Sequence, residues 1–168
     1  MRRGMSLIET TVSVLIAGIL FAAVMNTLGA SARTQGIQAR REVALLLAQK
    51  MMDEILPQAY EDPDLAEGSF GLEPDEVGGG SRALWEDVDD YHGRSASPAE
   101  DRTGTAIAWA AGYERAVTCG WLEPDDLATS SGADTGAKGI SVRVSYNGKE
   151  LVKLSAVRTR AWQDPAGQ

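Results

Sequence analysis

Residues 5–56 read MSLIETTVSVLIAGILFAAVMNTLGASARTQGIQARREVALLLAQKMMDEIL, and this stretch forms the main element of the predicted fold. It contains no proline, it is rich in the helix formers Ala, Leu, Gln and Met, and Pro57 follows it directly. Because the residue before a proline is biased away from the helical conformation, we predict one helix from Met5 to Leu56. At about 1.5 Å per residue, such a helix is about 78 Å long.

The two halves of this predicted helix differ in character. Residues 10–32 carry no charge, and a run of that length is enough to span about 30 Å of hydrocarbon. The second half is predicted to be amphipathic, because apolar residues return there at helical spacing. The predicted buried stripe consists of Ile37, Ala44, Ala48, Met51 and Ile55, widened by Leu45, Met52 and Leu56.

Three charged residues precede the uncharged run: the basic pair Arg2 and Arg3, and the single acid Glu9. Arg2 and Arg3 stand before Gly4, and few positive charges lie just beyond the run, so the positive-inside tendency predicts a cytoplasmic amino terminus. Glu9 is the only acid at the front of the run. Because a charge inside hydrocarbon costs about 2.5–3.5 kcal/mol, Glu9 requires either a compensating partner or a position at the membrane interface.

This arrangement resembles the class III signal of type IV pilins and type II secretion pseudopilins. In that family a short basic leader ends in Gly, prepilin peptidase cleaves after it and methylates the new amino terminus, and a Glu stands fifth in the mature chain. The matching residues are Gly4 for the cleavage, Met5 for the methylated terminus and Glu9 for the acid. The family more often has Phe at the position of Met5, which is a mild apolar departure. Residues 47–55 also resemble the end of this helix in minor pseudopilins of the I and V types.

The resemblance implies a structural filament subunit with an α+β, pilin-like fold, in which the long amino-terminal helix packs on a carboxy-terminal antiparallel β-sheet. Residues 1–4 would be the leader, residues 5–32 the transmembrane and filament-core half-helix, and residues 33–168 a periplasmic globular domain that includes the second half of the helix. The implied partners are prepilin peptidase, other pilin or pseudopilin subunits and lipid of the bacterial inner membrane. In the filament, Glu9 would face the amino terminus of a neighbouring subunit, where a cation compensates its buried charge.

An ordinary secretory signal peptide is the alternative explanation of the same residues. A basic start, an apolar run and Ala30-Ser31-Ala32 match its three parts, and the remaining chain would be an acidic binding domain that begins at Arg33. Two features count against this alternative. The apolar run is longer than the usual stretch of about 7–15 residues, and Glu9 interrupts its front edge.

The composition excludes some classes of partner. The chain has 168 residues and a formal net charge of −8, and removal of the two positive charges of Arg2 and Arg3 changes −8 to −10. Phosphate affinity depends on Lys and Arg, so no nucleic acid is expected as a partner, and a DNA-uptake minor pilin is disfavoured. The single Cys119 excludes an intrachain disulfide and is expected to be a small buried apolar residue.

Strand patterns come late in the chain. Residues 113–122 alternate in part, and residues 140–146 alternate strictly, with apolar side chains at the even positions. Asn147-Gly148 is a favoured type I′ hairpin turn, and residues 151–157 provide the partner strand. The Gly-, Ser- and Ala-rich residues 131–139 are predicted to form a flexible loop. A long helix followed by antiparallel strands is an α+β order of elements.

One segment outside the helix is a candidate metal site. Asp87, Asp89 and Asp90 resemble part of an oxygen-rich calcium loop, because hard cations take carboxylate and carbonyl ligands. Several pseudopilins bind calcium in a loop beside their sheet, so calcium is the one cofactor that the sequence indicates. The alternative is a structured turn in which the Asp side chains cap backbone N–H groups while Trp85 and Tyr91 pack on the core.

Catalysis has little support in the sequence. His92 is the only histidine, and it lies near Asp89 and Asp90, where it has the chemistry of a general base. No G-x-S-x-G motif, no H-E-x-x-H motif and no paired metal motif accompanies it. The chain is therefore predicted not to be an enzyme.

Overall fold

A computed structural model describes residues 6–62, 70–72, 76 and 81–162. The chain divides into two compact units, Met1–Ala39 and Arg40–Gln168. The described part of the first unit is the front of one long helix, and the second unit contains the rest of that helix and an antiparallel sheet. This order of elements confirms the predicted α+β class.

Helix α1 spans Leu7–Ile55, which is 49 residues in one uninterrupted element. Met5, the predicted start, lies outside the described residues, and α1 ends one residue before the predicted Leu56. Leu56 N still hydrogen-bonds Met52 O at 2.9 Å, whereas Pro57 has no N–H with which to continue the ladder. The prediction of a single helix over this stretch is confirmed.

The second half of α1 buries one stripe of side chains in the core of its unit, together with strand residues. The buried residues are Ala44, Leu47, Ala48, Met51, Met52 and Ile55. The predicted stripe was wrong at Ile37 and Leu45, which are 52% and 38% exposed, and it omitted Leu47, which is fully buried. Leu47 stands three residues after Ala44 and four before Met51, on the buried face, whereas Leu45 is turned about 100° from Ala44.

The five strands of the described residues are β1 (Ser95–Ala96), β2 (Tyr113–Glu123), β3 (Asp126–Ser130), β4 (Ala137–Tyr146) and β5 (Lys149–Thr159). They pair antiparallel in the order β1-β2-β4-β5, and β3 pairs with the end of β2. Strand β2 confirms the strand predicted from the partial alternation that precedes the Gly- and Ser-rich stretch.

The hairpin of β4 and β5 confirms the strongest strand prediction. Asn147 and Gly148 have φ angles of 48° and 78°, and two positive φ angles are what a type I′ turn requires. Ile140, Val142 and Val144, the apolar even positions, are buried. This face of the sheet packs on the second half of α1 in one core cluster.

The loop predicted for residues 131–139 was wrong at its end, and β3 was not predicted. Strand β4 begins at Ala137, and its second residue, Lys138, occupies an inward position that a hydrophobic pattern does not reveal. All five residues of β3 are exposed. An exposed strand has no apolar alternation, so the sequence carries no periodic signal for it.

Candidate functional site

The front part of α1 is exposed along its whole length. Every described side chain from Ser6 to Glu42 is exposed in the single chain, including most of the large apolar residues of the helix. In the part of the chain that the structure describes, α1 is the one helix long and apolar enough to cross a membrane, judged by length and composition. A continuous apolar surface of this size requires a membrane or protein neighbours around it.

Hydroxyl side chains in the front part of α1 donate hydrogen bonds to the helix backbone. Thr10, Thr11, Ser13, Thr27 and Thr34 each donate their hydroxyl to a main-chain carbonyl three or four residues earlier, at 2.7–3.0 Å. An unpartnered hydroxyl is costly in an apolar environment. These bonds therefore lower the cost of placing the segment in hydrocarbon or in a packed helix bundle.

Glu9 lies in the first turn of α1, where its carboxylate is favoured by the partial positive charge of the helix amino terminus. The side chain is exposed and makes no ion pair with any residue that the structure describes. Gly4 and Met5, the predicted processing residues, lie outside the described residues. Within this segment the assembly candidate Glu9 is thus an uncompensated acid at the front of an exposed apolar helix.

The acidic turn, which we define as residues 86–90, is held together by its own carboxylates. Asp87 Oδ1 accepts hydrogen bonds from Asp89 N at 2.8 Å and from Asp90 N at 3.2 Å. Asp90 Oδ2 accepts hydrogen bonds from Glu86 N at 2.9 Å and from Asp87 N at 3.0 Å. These contacts form the capped turn that the sequence offered as the alternative to a calcium loop.

Two aromatic side chains connect the ends of the acidic turn to the core. Trp85 and Tyr91 are both buried, and their rings meet edge to face with centroids 4.7 Å apart. The Tyr91 hydroxyl donates to Glu54 Oε1 at 3.3 Å, and Arg82 Nε donates to the same oxygen at 2.8 Å. Burial, with the nearby Glu54 carboxylate, raises the pKa of the Tyr91 phenol. The second half of α1 thereby holds the turn in place through Glu54.

Asp89, the third aspartate of the turn, faces a buried lysine. Lys138 Nζ donates to Asp89 Oδ1 and to the carbonyl of Tyr60, and it lies 4.5 Å from the centroid of the Tyr60 ring. The side chains of Lys138 and Asp89 are each 3% exposed. Asp89 Oδ2 accepts a further hydrogen bond from Gly71 N at 3.1 Å. Strand β4 thus supplies the acidic turn with an internal cation.

The charge of the turn is not fully neutralised by this one lysine. Burial, together with the neighbouring carboxylates of Asp89 and Asp90, raises the pKa of Asp87 to about 8. Lys138 and the backbone hydrogen bond from Asp90 oppose this shift. Asp87 is therefore the acid of the turn that takes up a proton near neutral pH.

The calcium prediction concerns the same three acids. Among the described residues, no group of three or more His, Cys, Asp or Glu side chains is arranged to hold a metal ion. A cavity of about 30 Å³ lies beside the turn, lined by Lys138, Phe70, Trp121 and the carboxylates of Glu61, Asp62, Asp87, Asp89 and Asp134. Calcium binding at Asp87, Asp89 and Asp90 stays a prediction. Backbone N–H groups and Lys138 engage Asp87 Oδ1, Asp90 Oδ2 and both carboxylate oxygens of Asp89, whereas the buried Asp90 Oδ1 has no hydrogen-bond partner among the described residues.

Lys138 is the residue of this cluster that sequence reasoning missed. The even positions of β4 face the core, and Lys138 is the charged residue among Ile140, Val142 and Val144. A charged side chain at an inward position of an otherwise apolar strand requires a partner of opposite charge. The position of Lys138 in the alternation of β4 was therefore the sequence signal that could have revealed it. Its partner Asp89 lies 49 positions away in the sequence, so no local pattern identifies it.

His92 and Cys119 lie side by side at the edge of this cluster. His92 Nδ1 is 2.6 Å from Cys119 O and 3.2 Å from Cys119 N. Cys119 is a buried free thiol, as expected, and it donates to Val88 O at 3.2 Å. Burial, assisted by the Asp89 carboxylate, raises the pKa of the thiol, which makes it a poor nucleophile. That the chain is not an enzyme stays a prediction.

The chain matches no protein-family model, and no curated protein or solved structure is detectably similar to it. The structure itself shows an α+β fold and an amino-terminal helix that has the length and composition of a single-pass membrane anchor. Any more specific function must be inferred from the residues of the chain.

Proposed function

We propose that the chain is a minor pilin or pseudopilin, a structural subunit of a type II secretion or type IV pilus filament, and that prepilin peptidase cleaves it after Gly4. The observation that carries this proposal is the two-part helix α1. Its front part is exposed, and the side chains of residues 10–32 carry no charge, whereas its second part belongs to the core of a separate compact unit. An anchor that is continuous with a domain helix suits a subunit that passes from a membrane into a filament.

The continuity of α1 also argues against an ordinary signal peptide. Cleavage after Ala32 would cut inside the helix, and it would also separate the Thr34 hydroxyl from Ala30 O, to which it donates a hydrogen bond at 3.0 Å. The helix continues as far as Ile55 without a break. A secretory signal needs an apolar run of only about 7–15 residues and no such continuation.

Glu9 supports the same proposal through its missing partner. A carboxylate buried in an apolar surrounding is tolerated when a cation compensates it, and the described residues provide none for Glu9. Cleavage after Gly4 would create a new positive amino terminus at Met5. In a filament, that terminus on a neighbouring subunit would pair with Glu9, and the apolar surface of α1 would pack against other helices.

This function places the protein in the bacterial inner membrane, in contact with lipid, before assembly. The domain would lie in the periplasm, and later in a periplasmic filament with other pilin or pseudopilin subunits. The pilin-like fold of the domain is part of the proposal. The acidic composition, with a net charge of −8, disfavours a DNA-uptake role.

Intact mass and amino-terminal peptide mapping of the protein recovered from membranes test the proposal. We expect a chain that lacks residues 1–4 and begins with N-methylated Met5. A chain that begins at Arg33 would contradict it and would indicate a secreted acidic binding domain.

The role of Glu9 is tested with Glu9→Gln, which keeps the shape of the side chain and removes its charge. We expect unchanged membrane insertion and cleavage, but at least about tenfold less protein in assembled filaments, which corresponds to about 1.4 kcal/mol. Ser13→Ala, on the same front part of α1, is the matched control and should assemble normally. Normal assembly of Glu9→Gln would refute the assigned role.

A further inference from the structure

The two sides of the sheet differ in how their main-chain groups are used. On the β2 side, Gly93 N donates to Val117 O at 3.1 Å, and Val117 N donates to Arg94 O at 2.8 Å. Farther along β2, the His92 ring lies within hydrogen-bond distance of the main chain of Cys119. The short β1 and the segment before it thus close this side of the sheet.

On the other side, β5 is the last strand, and its outer edge has no neighbour among the described residues. The hydrogen bond from Arg160 N to Gly136 O continues the β4–β5 ladder and shows which residues of β5 bond to β4. Residues that bond across an antiparallel ladder alternate with residues whose N–H and C=O point away. The odd-numbered residues 153–159 therefore point their main-chain groups away from β4. None of these groups has a hydrogen-bond partner in the part of the chain that the structure describes.

The apolar core is also less covered at β5 than at the neighbouring strand. Val142 and Val144 of β4 are fully buried. Their cross-strand partners on β5, Leu154 and Val152, pack on the same core cluster but are only half-buried. A further strand beside β5 would cover the open sides of these two side chains, because it would extend the inner face of the sheet.

The free edge of β5, which we define as residues 152–159, has little protection against strand addition. Proline, bulges and charged side chains are the usual protection of an exposed edge. This stretch contains no proline, and the register shift of the ladder lies before it, at Val144 and Ser145. Among the residues whose main chain points outward, Lys153 is the one charged residue. The edge is therefore able to pair with another strand.

Arg158 lies on the inner face of the same edge and lacks a partner. Its Nε is buried and has no hydrogen-bond partner among the described residues, and its guanidinium makes no ion pair with any of them. A buried polar group without a partner is costly. A carboxylate on an added strand would supply the missing acceptor, which Lys138, the cross-strand neighbour of Arg158, does not provide.

We propose that the free edge of β5 receives an added strand from a neighbouring filament subunit of a different sequence. The added segment is extended, places apolar side chains beside Val152 and Leu154, and places a carboxylate near Arg158. Main-chain hydrogen bonds give such an added strand its affinity, and its alternate side chains give it selectivity. The occupant is a different chain because a minor subunit has subunits of other kinds as its neighbours. In this respect the inference rests on the proposed function.

Photo-cross-linking of the full-length chain in the membranes of the producing cell tests the contact. The probe is a benzophenone amino acid in place of Val157, whose side chain is 40% exposed beside the free edge. We expect a cross-linked chain of different sequence that has its own basic leader, a Gly before the cleavage point and a Glu at the fifth position after it. Cross-linking to a second copy of this chain, or within the chain to residues 163–168, would overturn the proposal.

Proline at the edge tests whether the partner is bound as a strand. Ser155→Pro removes an N–H that points away from β4, so the β4–β5 ladder is kept, while an added strand loses a hydrogen bond and meets the proline ring. We expect the cross-linked fraction to fall about tenfold. Ser155→Thr keeps the N–H and is the matched control, which should cross-link as the unchanged chain does. Equal cross-linking by the two variants would overturn the strand addition.

Arg158→Gln tests the same edge without a change in the backbone. The cross-linked fraction should fall about fivefold, because the variant can no longer form an ion pair with the added strand. The matched control is Arg143→Gln, an exposed arginine of β4 that lies away from the edge, and its cross-linking should be unchanged. Equal cross-linking by these two variants would overturn the assigned carboxylate. Urea unfolding of all four variants shows whether each domain is folded.

The amino-terminal mass of the same samples separates this contact from the proposed function. A methylated Met5 terminus without the cross-link would overturn the strand addition and leave the filament function standing. An Arg33 terminus would overturn the filament function, and with it the choice of a filament subunit as the occupant.

Discussion

Replacement of Lys138 by methionine is the sharpest test of how the domain is held together. Lys138 donates to Asp89 Oδ1 and to Tyr60 O from a position that is 3% exposed. Methionine keeps the length and the apolar character of the lysine side chain, so the change creates little cavity. What it removes is the one cation that contacts Asp89 among the residues that the structure describes.

The expected loss of stability follows from the burial of the pair. Removing one partner of a buried ion pair leaves an uncompensated charge and costs about 3–5 kcal/mol. The total stability of a domain is about 5–15 kcal/mol. We therefore expect Lys138→Met to remove a large share of the free energy of unfolding.

The measurement is urea unfolding of the chain from Arg33 onwards, followed by circular dichroism. This fragment keeps every buried side chain of the described residues, since the first of them is Ala44. Lys149→Met, an exposed lysine at the start of β5, is the matched control and should change the free energy of unfolding by less than about 0.5 kcal/mol.

A double variant tests whether the loss of stability in Lys138→Met comes from the broken ion pair between Lys138 and Asp89. In Lys138→Met with Asp89→Asn the buried charge is gone, and the Asn oxygen still accepts the hydrogen bond from Gly71 N. We expect this chain to be more stable than Lys138→Met alone. A cost below about 1 kcal/mol for the single change, or strictly additive effects in the double variant, would refute the reasoning.

Two further predictions concern α1 and the acidic turn. Leu47→Ala should lower the free energy of unfolding by about 2–5 kcal/mol, because Leu47 is fully buried. Leu46→Ala should lower it by less than about 0.5 kcal/mol, because Leu46 is 44% exposed. Equal losses of the two variants in urea unfolding would contradict the assignment of the buried face. The raised pKa of Asp87, about 8 when folded, means that the folded chain binds more protons than the unfolded chain between about pH 4 and 8. This acid therefore lowers stability as pH rises through that range. Asp87→Asn keeps the Oδ1 acceptor and removes the ionisable group. The free energy of unfolding of the variant, relative to that of the native chain, should therefore rise from pH 5 to pH 8 by up to about 1.4 kcal/mol per pH unit. A difference independent of pH would show that Asp87 does not titrate in this range.

The elements whose signals are local could be predicted from the amino-acid sequence alone. The uncharged run and the absence of proline before Pro57 determined α1, because helix formation depends on residues three and four positions apart. The strict alternation of residues 140–146 and the Asn147-Gly148 turn determined the main hairpin, because side-chain period and turn geometry are encoded within a few residues. The candidate acid Glu9 came from the sequence in the same way.

The buried faces of these elements and the partners of their side chains depend on the packed fold and could not be predicted from the sequence. The sequence pattern chose Leu45 for the core, whereas the fold buries Leu47, because burial depends on the rotation of α1 against strands that begin about sixty residues later. Asp89 is a predicted calcium ligand from its own segment, but only the fold shows that it pairs with Lys138, 49 positions away. Such pairs follow from strand register and helix docking, which bring distant residues together through the summed packing of the core rather than through any local pattern.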